Sequence, residues 1–329
     1  MKLFVVFAAL LVGVLVNEID GACRDISSRC GRYANKYNCD NNSYVRKRCQ
    51  KSCGLCGGPP PTERPRPPVN TNQPPPPPSS GKCGSRPNTR IVGGTQASPG
   101  SWPWQAMLRT PSGFGFCGGT LVDPQWVLTA SHCVSGKSPR SLRVRMGAHS
   151  KRGNDKTAQD FSVQRIIMHE SYKRPYGLSN DIALLKLSKP AQINNYVGLA
   201  CLPDDSTPSL PIDNMSKKCW ITGWGTLSSG GSSPRVLMQA SVPLVSKQRC
   251  LRGYPRQIHD SMLCAGYDQG GVDSCQGDSG GPLVCEFGGK WYLEGATSWG
   301  HGCAARGKYG VYANIRYLRS WVRGKMGRY

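Results

Sequence analysis

Three short stretches of this 329-residue chain hold side chains that could carry out covalent chemistry together. They are Leu128-Thr129-Ala130-Ser131-His132-Cys133, Asn180-Asp181-Ile182-Ala183-Leu184-Leu185 and Asp278-Ser279-Gly280-Gly281-Pro282. A serine hydroxyl is a weak nucleophile, and it attacks a carbonyl only when a neutral imidazole stands ready to take its proton. The imidazole in turn needs a carboxylate to fix its tautomer and to stabilise the cation it becomes. Each residue type is common by itself, since most serines and aspartates face solvent or cap turns. The information lies in the surroundings. His149, His169, His259 and His301 lack such surroundings and read as surface or structural residues.

The elements around these stretches are short and β-rich. Runs such as Thr120-Leu121-Val122, 126–130, 142–146, 182–187, 282–285, 291–297 and 310–313 alternate with Gly, Pro and Asn breaks. Many short strands separated by turn signals predict an all-β barrel or sandwich. A helix is expected only at the end, where Tyr317, Leu318, Trp321 and Val322 recur between polar residues.

From Cys83 to Tyr329, about three quarters of the chain, the three motifs occur in the order and approximate spacing of the chymotrypsin/trypsin family of serine proteases, and the sequence resembles that family. The resemblance implies two six-stranded antiparallel β-barrels with a C-terminal helix, and it gives the nucleophile, base and orienting-acid roles to Ser279, His132 and Asp181. It places an oxyanion hole on the backbone N–H groups of Gly277 and Ser279. It also places Asp273 at the floor of the primary pocket, with Ser298, Gly300 and Gly310 along its wall. A carboxylate at that floor pairs with a substrate guanidinium or ammonium, so protein or peptide substrates with Arg or Lys at the cleaved bond are expected. Arg90-Ile91-Val92-Gly93-Gly94 resembles the family's activation site. Cleavage there by an activating trypsin-like protease frees the Ile91 amine, which in the family pairs with the acid before the nucleophile, here Asp278. By the same analogy Cys117 pairs with Cys133, Cys219 with Cys285, Cys250 with Cys264, Cys275 with Cys303, and Cys83 with Cys201. The last bridge would tether the N-terminal part after cleavage.

Two positions depart from the family pattern. Ala148 stands where a calcium-binding glutamate is usual, with Gln159 or Asp160 near the second ligand position, which argues against a metal requirement. Tyr309 stands where many trypsins carry proline and some sodium-regulated members an aromatic residue. No cofactor is expected.

The first 22 residues read as a secretory signal peptide: Met1-Lys2, an apolar run from Leu3 to Val16, then small residues near Ala22. The run is shorter than the roughly 20 apolar residues a bilayer requires. Sixteen cysteines agree with an oxidising, extracellular location. Residues 23–56 hold six of them, too short a stretch to fold without staples. This block resembles the ShK-toxin-type domain, which implies Cys23–Cys56, Cys30–Cys49 and Cys39–Cys53. Channel-blocking members present an adjacent Lys-Tyr pair; Ser43 precedes Tyr44 here, so localisation or substrate docking is the favoured role. Residues 57–82, with eleven prolines in 26 positions, read as an extended spacer; 83–90 form the activation segment and 91–329 the protease domain. Asn41 and Asn214 begin N-glycosylation sequons.

The chain carries a formal charge of +23. There are 14 cationic and 5 acidic side chains up to Arg90, and 28 and 14 beyond it. Basicity this evenly spread, without an Arg-rich helix or aromatic-basic motif, argues against a nucleic-acid target and reads as solubility plus attraction to anionic surfaces such as matrix or cell-surface glycans. A monomer is expected. The rival class, a binding protein or toxin on a protease scaffold, would show a lost nucleophile or base, and neither is lost.

Overall fold

The computed structural model describes residues 83–87, 95–217, 219–226, 230–271, 276–302 and 305–329, all within the compact unit 75–329. The predicted alternation is visible strand by strand. In β5 (Arg143–Met146), Val144 and Met146 are buried while Arg143 and Arg145 face outward, the two-residue period of a half-buried strand. With β2 (Gln105–Arg109), β3 (Gly115–Asp123), β4 (Trp126–Thr129), β6 (Gln159–Met168) and β7 (Ala183–Leu187), it forms a closed antiparallel barrel in the order β2-β3-β4-β7-β6-β5. Closure leaves no open sheet edge. Leu108, Leu121, Leu128, Leu142, Met146, Leu184, Leu185 and Leu187 are fully buried, inside it or between it and its neighbours.

The second sheet comprises β1 (Thr95–Gln96), β8 (Cys219–Gly223), β9 (Met238–Val242), β10 (Leu244–Val245), β11 (Met262–Ala265), β12 (Pro282–Phe287), β13 (Lys290–Trp299) and β14 (Gly310–Asn314). Its order is β1-β9-β8-β12-β13-β14-β11-β10. Two-residue strands at either edge flank six longer ones. Among the described residues those edges do not pair with each other, so this half is a curled half-barrel and only the first barrel closes.

Helices are few. The short α1 (Ser131–Val134) follows β4 directly. In α2 (Lys247–Gly253), the Ser246 hydroxyl caps the N-terminus by accepting from the Arg249 N–H. The terminal α3 (Ile315–Arg328) is capped by Asn314, whose Oδ1 accepts from Tyr317 N. Its buried ridge is Ile315, Leu318 and Val322, whereas Tyr317 lies 52 % exposed. The ridge is offset from the face expected from sequence because it begins at Ile315, at i, i+3 and i+7. Arg316 fastens the helix to the fully buried Glu294 of β13 by two parallel bonds of 2.8 Å.

Direct links join the two halves. Buried Thr222 Oγ1 donates to Gln105 Oε1 at 2.5 Å, and Trp102 Nε1 donates to Gln239 Oε1 at 2.8 Å. Trp102 packs edge-on against Trp104 and Trp291, with Trp220 beside it. The Arg86 guanidinium stacks 3.5 Å above the Trp102 ring, and its Nε donates to the Ser101 carbonyl. Burial pulls this guanidinium down to about 10, with the Glu286 charge opposing. The bonds Cys83–Cys201, Cys117–Cys133, Cys219–Cys285 and Cys250–Cys264 are formed. No helix among the described residues is long and apolar enough to cross a membrane.

Candidate active site

His132 sits in α1, one turn that β4 delivers at the seam between the two halves. Asp181 lies just before β7, and the β4–β7 pairing of Thr129 with Ala183 brings the two chain ends together. Ser131 Oγ ties this junction by donating to the Ile182 carbonyl at 2.6 Å. Asn180, in a left-handed backbone conformation with φ 54°, is itself pinned. Its N–H donates to Ser261 Oγ, and its side-chain amide donates to the carbonyls of Ser171 and Arg174.

Asp181 is 1 % exposed, and such a carboxylate must be paired or hydrogen-bonded. It accepts three hydrogen bonds. Oδ1 takes the backbone N–H of His132 at 2.9 Å; Oδ2 takes His132 Nδ1–H at 2.7 Å and the Ser298 hydroxyl at 2.6 Å. A carboxylate can only accept, so His132 Nδ1 must carry a proton, and in the neutral ring Nε2 keeps the lone pair. Burial and the Asp181 charge push the nearby Tyr172 phenol up to about 12, so it stays neutral.

Ser279 comes from the other half. Its carbonyl accepts from Gly118 N at 2.7 Å in β3, and the next N–H, of Gly280, donates to the Thr297 carbonyl at 2.7 Å. Gly280 has φ +77°, and a side-chain carbon there would overlap Thr129 Oγ1 and the Gly118 carbonyl. Only glycine allows this approach. Cys133 Sγ lies 3.5 Å from the Ser279 carbonyl oxygen and 3.8 Å from His132 Nε2, so one disulfide sulfur touches both sides of the site. Gly277 turns the chain with φ +100°.

The wall residues fall together as well. Trp299 pairs with Val311, so Gly300, just past β13, and Gly310, at the start of β14, lie at the same end of adjacent strands. Ser298 turns its hydroxyl to Asp181 and thus supports the acid. Nothing in the sequence motif marked that bond. Tyr309 spends its hydroxyl on Asp268 at 2.7 Å. Asp273, Cys275, Cys303, Arg90 and Ile91 lie outside the described residues, as do Asn41 and the cysteines of 23–56. Asn214 is half-buried, and its Oδ1 accepts from Ser216 and Lys217.

Cys117, His132 and Cys133 bring possible metal ligands within 4.8 Å of one another. Both sulfurs are consumed in the Cys117–Cys133 bond, so the cluster offers a metal one nitrogen. At the position compared with a calcium loop, Arg145 grips Asp160 in a two-pronged pair and holds its carboxyl below the usual range. Asp155 instead accepts the N–H groups of His149 and Ser150.

The Trypsin family model matches residues 91–322 and the ShK domain-like model residues 22–56. "Trypsin-3" of Salmo salar is 42% identical over 238 residues, which span 72% of this chain and 93% of that relative. "Coagulation factor XI" of Bos taurus is 40% identical over 244 residues, spanning 73% of this chain but only 38% of the relative.

Proposed function

Because this chain belongs to the trypsin family of serine hydrolases, we propose that it is a secreted endopeptidase zymogen, activated after Arg90, that cleaves after Arg or Lys. Ser279 Oγ attacks the scissile carbonyl and passes its proton to His132 Nε2. The N–H groups of Gly277 and Ser279 receive the developing oxyanion. The imidazolium, stabilised by Asp181, returns that proton to the leaving amine, and a water molecule repeats the sequence on the acyl-enzyme. Asp273 selects the cationic side chain. The freed Ile91 amine, with an ordinary pKa of about 8, pairs with Asp278, so activity falls as that amine loses its proton at high pH.

Around this core, residues 1–22 direct secretion, 23–56 form the ShK-type docking module and 57–82 the spacer. The Cys83–Cys201 bridge keeps that module attached after cleavage. Anionic glycans and an activating trypsin-like protease are the proposed partners, and the enzyme acts as a monomer.

One observation carries the reading: a buried carboxylate that orients an imidazole through Nδ1, with the Ser279 carbonyl held by Gly118 of β3, the strand next to β4. The test is turnover of a small Arg ester by protein cut after Arg90, beside a Ser279→Ala control. Equal signals from the two would remove the enzymatic assignment. Cuts spread over aromatic or small residues in a peptide library would remove the pocket assignment.

A further inference from the structure

The peptide group between Trp224 and Gly225 is held at both ends by opposite charges. Its carbonyl accepts from the Lys151 ammonium at 2.8 Å, and its N–H donates to Asp278 Oδ1 at 2.7 Å. A trans peptide points these two groups in opposite directions, so cation, peptide dipole and anion lie in series. Hydrogen bonds to ionised partners are the strong ones, and bonds in series polarise one another. Lys151 also senses the Asp278 charge directly: burial and Arg152 lower its pKa, while the Asp278 carboxylate raises it.

The surroundings make this a built connection. Gly223 and Gly225 lie so close to the Asp278 carboxylate that a side-chain carbon on either would collide with it. Beyond Gly225, Thr226 N donates to the Gln276 carbonyl and Thr226 Oγ1 meets Gln276 Oε1, both at 2.8 Å. The segment 224–226 therefore runs along 276–278, the turn that ends at the proposed oxyanion donors. On its outer side, Trp224 Nε1 donates to the His149 carbonyl, and Lys151 N donates to the Arg235 carbonyl. Asp155 fixes the same loop through the N–H groups of His149 and Ser150. The ammonium thus stands on a fixed base.

We propose that Lys151 is a positioning residue for the reaction: through the 224–225 peptide it holds Asp278, and with it the 276–279 turn, in the conformation that presents the oxyanion N–H groups. The loop between β5 and β6 thereby acts on catalysis without touching substrate. This rests on the endopeptidase reading above.

The test compares Lys151→Met, which keeps the length and removes the charge, with Lys151→Arg, in protein cut after Arg90. The Met variant is expected to lose about 10- to 100-fold in kcat, the range for one charge-assisted bond, with KM changed by less than about threefold; the Arg variant recovers most of the loss. Hydrogen exchange at the Gly225 amide is expected to quicken about tenfold or more in the Met variant alone, and this readout stands even where no turnover is seen. An exchange rate and kcat within twofold of the parent in the Met variant would overturn the proposal. So would an equal loss in both variants accompanied by a matching fall in Tm, which would make Lys151 merely structural. A parent protein without Ser279-dependent turnover, yet with faster Gly225 exchange in the Met variant, would sink the enzymatic reading and keep the connection.

Discussion

Replacing Asp181 by Asn tests the catalytic geometry at one atom. The two oxygens of Asp181 serve different donors, and an amide has only one oxygen to offer. The His132 backbone N–H can only donate, so the Asn oxygen is drawn to the Oδ1 position, where that N–H stands at 2.9 Å. The NH2 group then occupies the Oδ2 position and faces His132 Nδ1 at 2.7 Å. Nδ1 must become the acceptor, the ring proton moves to Nε2, and Nε2 can no longer take a proton from Ser279. Turning the amide round restores the tautomer but sets NH2 against the buried backbone N–H, which leaves two donors unsatisfied at about 1–3 kcal/mol each. The imidazolium also loses a charge-assisted bond of about 1.5–3 kcal/mol. Together these give about 4–9 kcal/mol on the barrier, or a loss of kcat of about 10³-fold or more. The fall should appear in kcat with KM nearly unchanged, measured with an Arg ester on protein cut after Arg90. A variant within tenfold of the parent, correctly folded by near-UV circular dichroism, would refute the tautomer argument.

Arg316→Met strands the fully buried Glu294 and should cost about 3–5 kcal/mol in urea unfolding; adding Glu294→Gln should recover most of it. Against the pull of burial, hydrogen bonds from Lys325 and Trp321 bring Glu170 down to about 2. The stabilisation from this lowered carboxyl is complete above its ordinary value near 4.5 and is lost as pH falls toward 2. The Trp321 indole N–H signal in NMR of the folded protein should therefore shift only as pH approaches about 2, and a Glu170→Gln variant should show no step. Arg86→Ala removes the guanidinium stacked on Trp102 and its bond to Ser101, for an expected loss of about 2 kcal/mol. Arg86→Lys should retain less than half of that contribution, because an ammonium cannot stack as a plane.

What the sequence disclosed was whatever local rules encode. Alternation in β5 and the turn residues between short strands identify an all-β fold. The stretches around His132, Asp181 and Ser279 are recognisable because each must satisfy several constraints within a few residues; Gly280, for example, lies against Thr129 and Gly118. What stayed hidden depends on contacts between segments far apart in the chain. Ser298 reaches Asp181 across 117 positions and Lys151 reaches Trp224 across 73, and neither lysine nor serine carries a local mark of such a partner. The helix ridge was misplaced for a related reason. Tyr317 and Ile315 both fit an amphipathic pattern, and it is the sheet beneath, through Glu294 and Arg316, that decides which one faces inward.

The same distinction bears on how the site is kept together. His132 and Asp181 belong to a closed barrel, whose geometry is fixed by a ladder without edges. Ser279 belongs to a sheet left open among the described residues. Its position relative to the imidazole is set by contacts between the halves, among them the Gly118–Ser279, Thr222–Gln105 and Trp102–Gln239 bonds and the packing of Gly280 on Thr129. An error of about 1 Å at such a junction can cost about 10²-fold in rate, so each contact that fixes it bears on turnover. Lys151 belongs to the loop joining β5 and β6 of the closed barrel, and it bonds the Trp224 carbonyl, whose peptide N–H at Gly225 meets Asp278. In the proposed role of Lys151, the closed half thereby holds the turn of the open half that would meet the oxyanion.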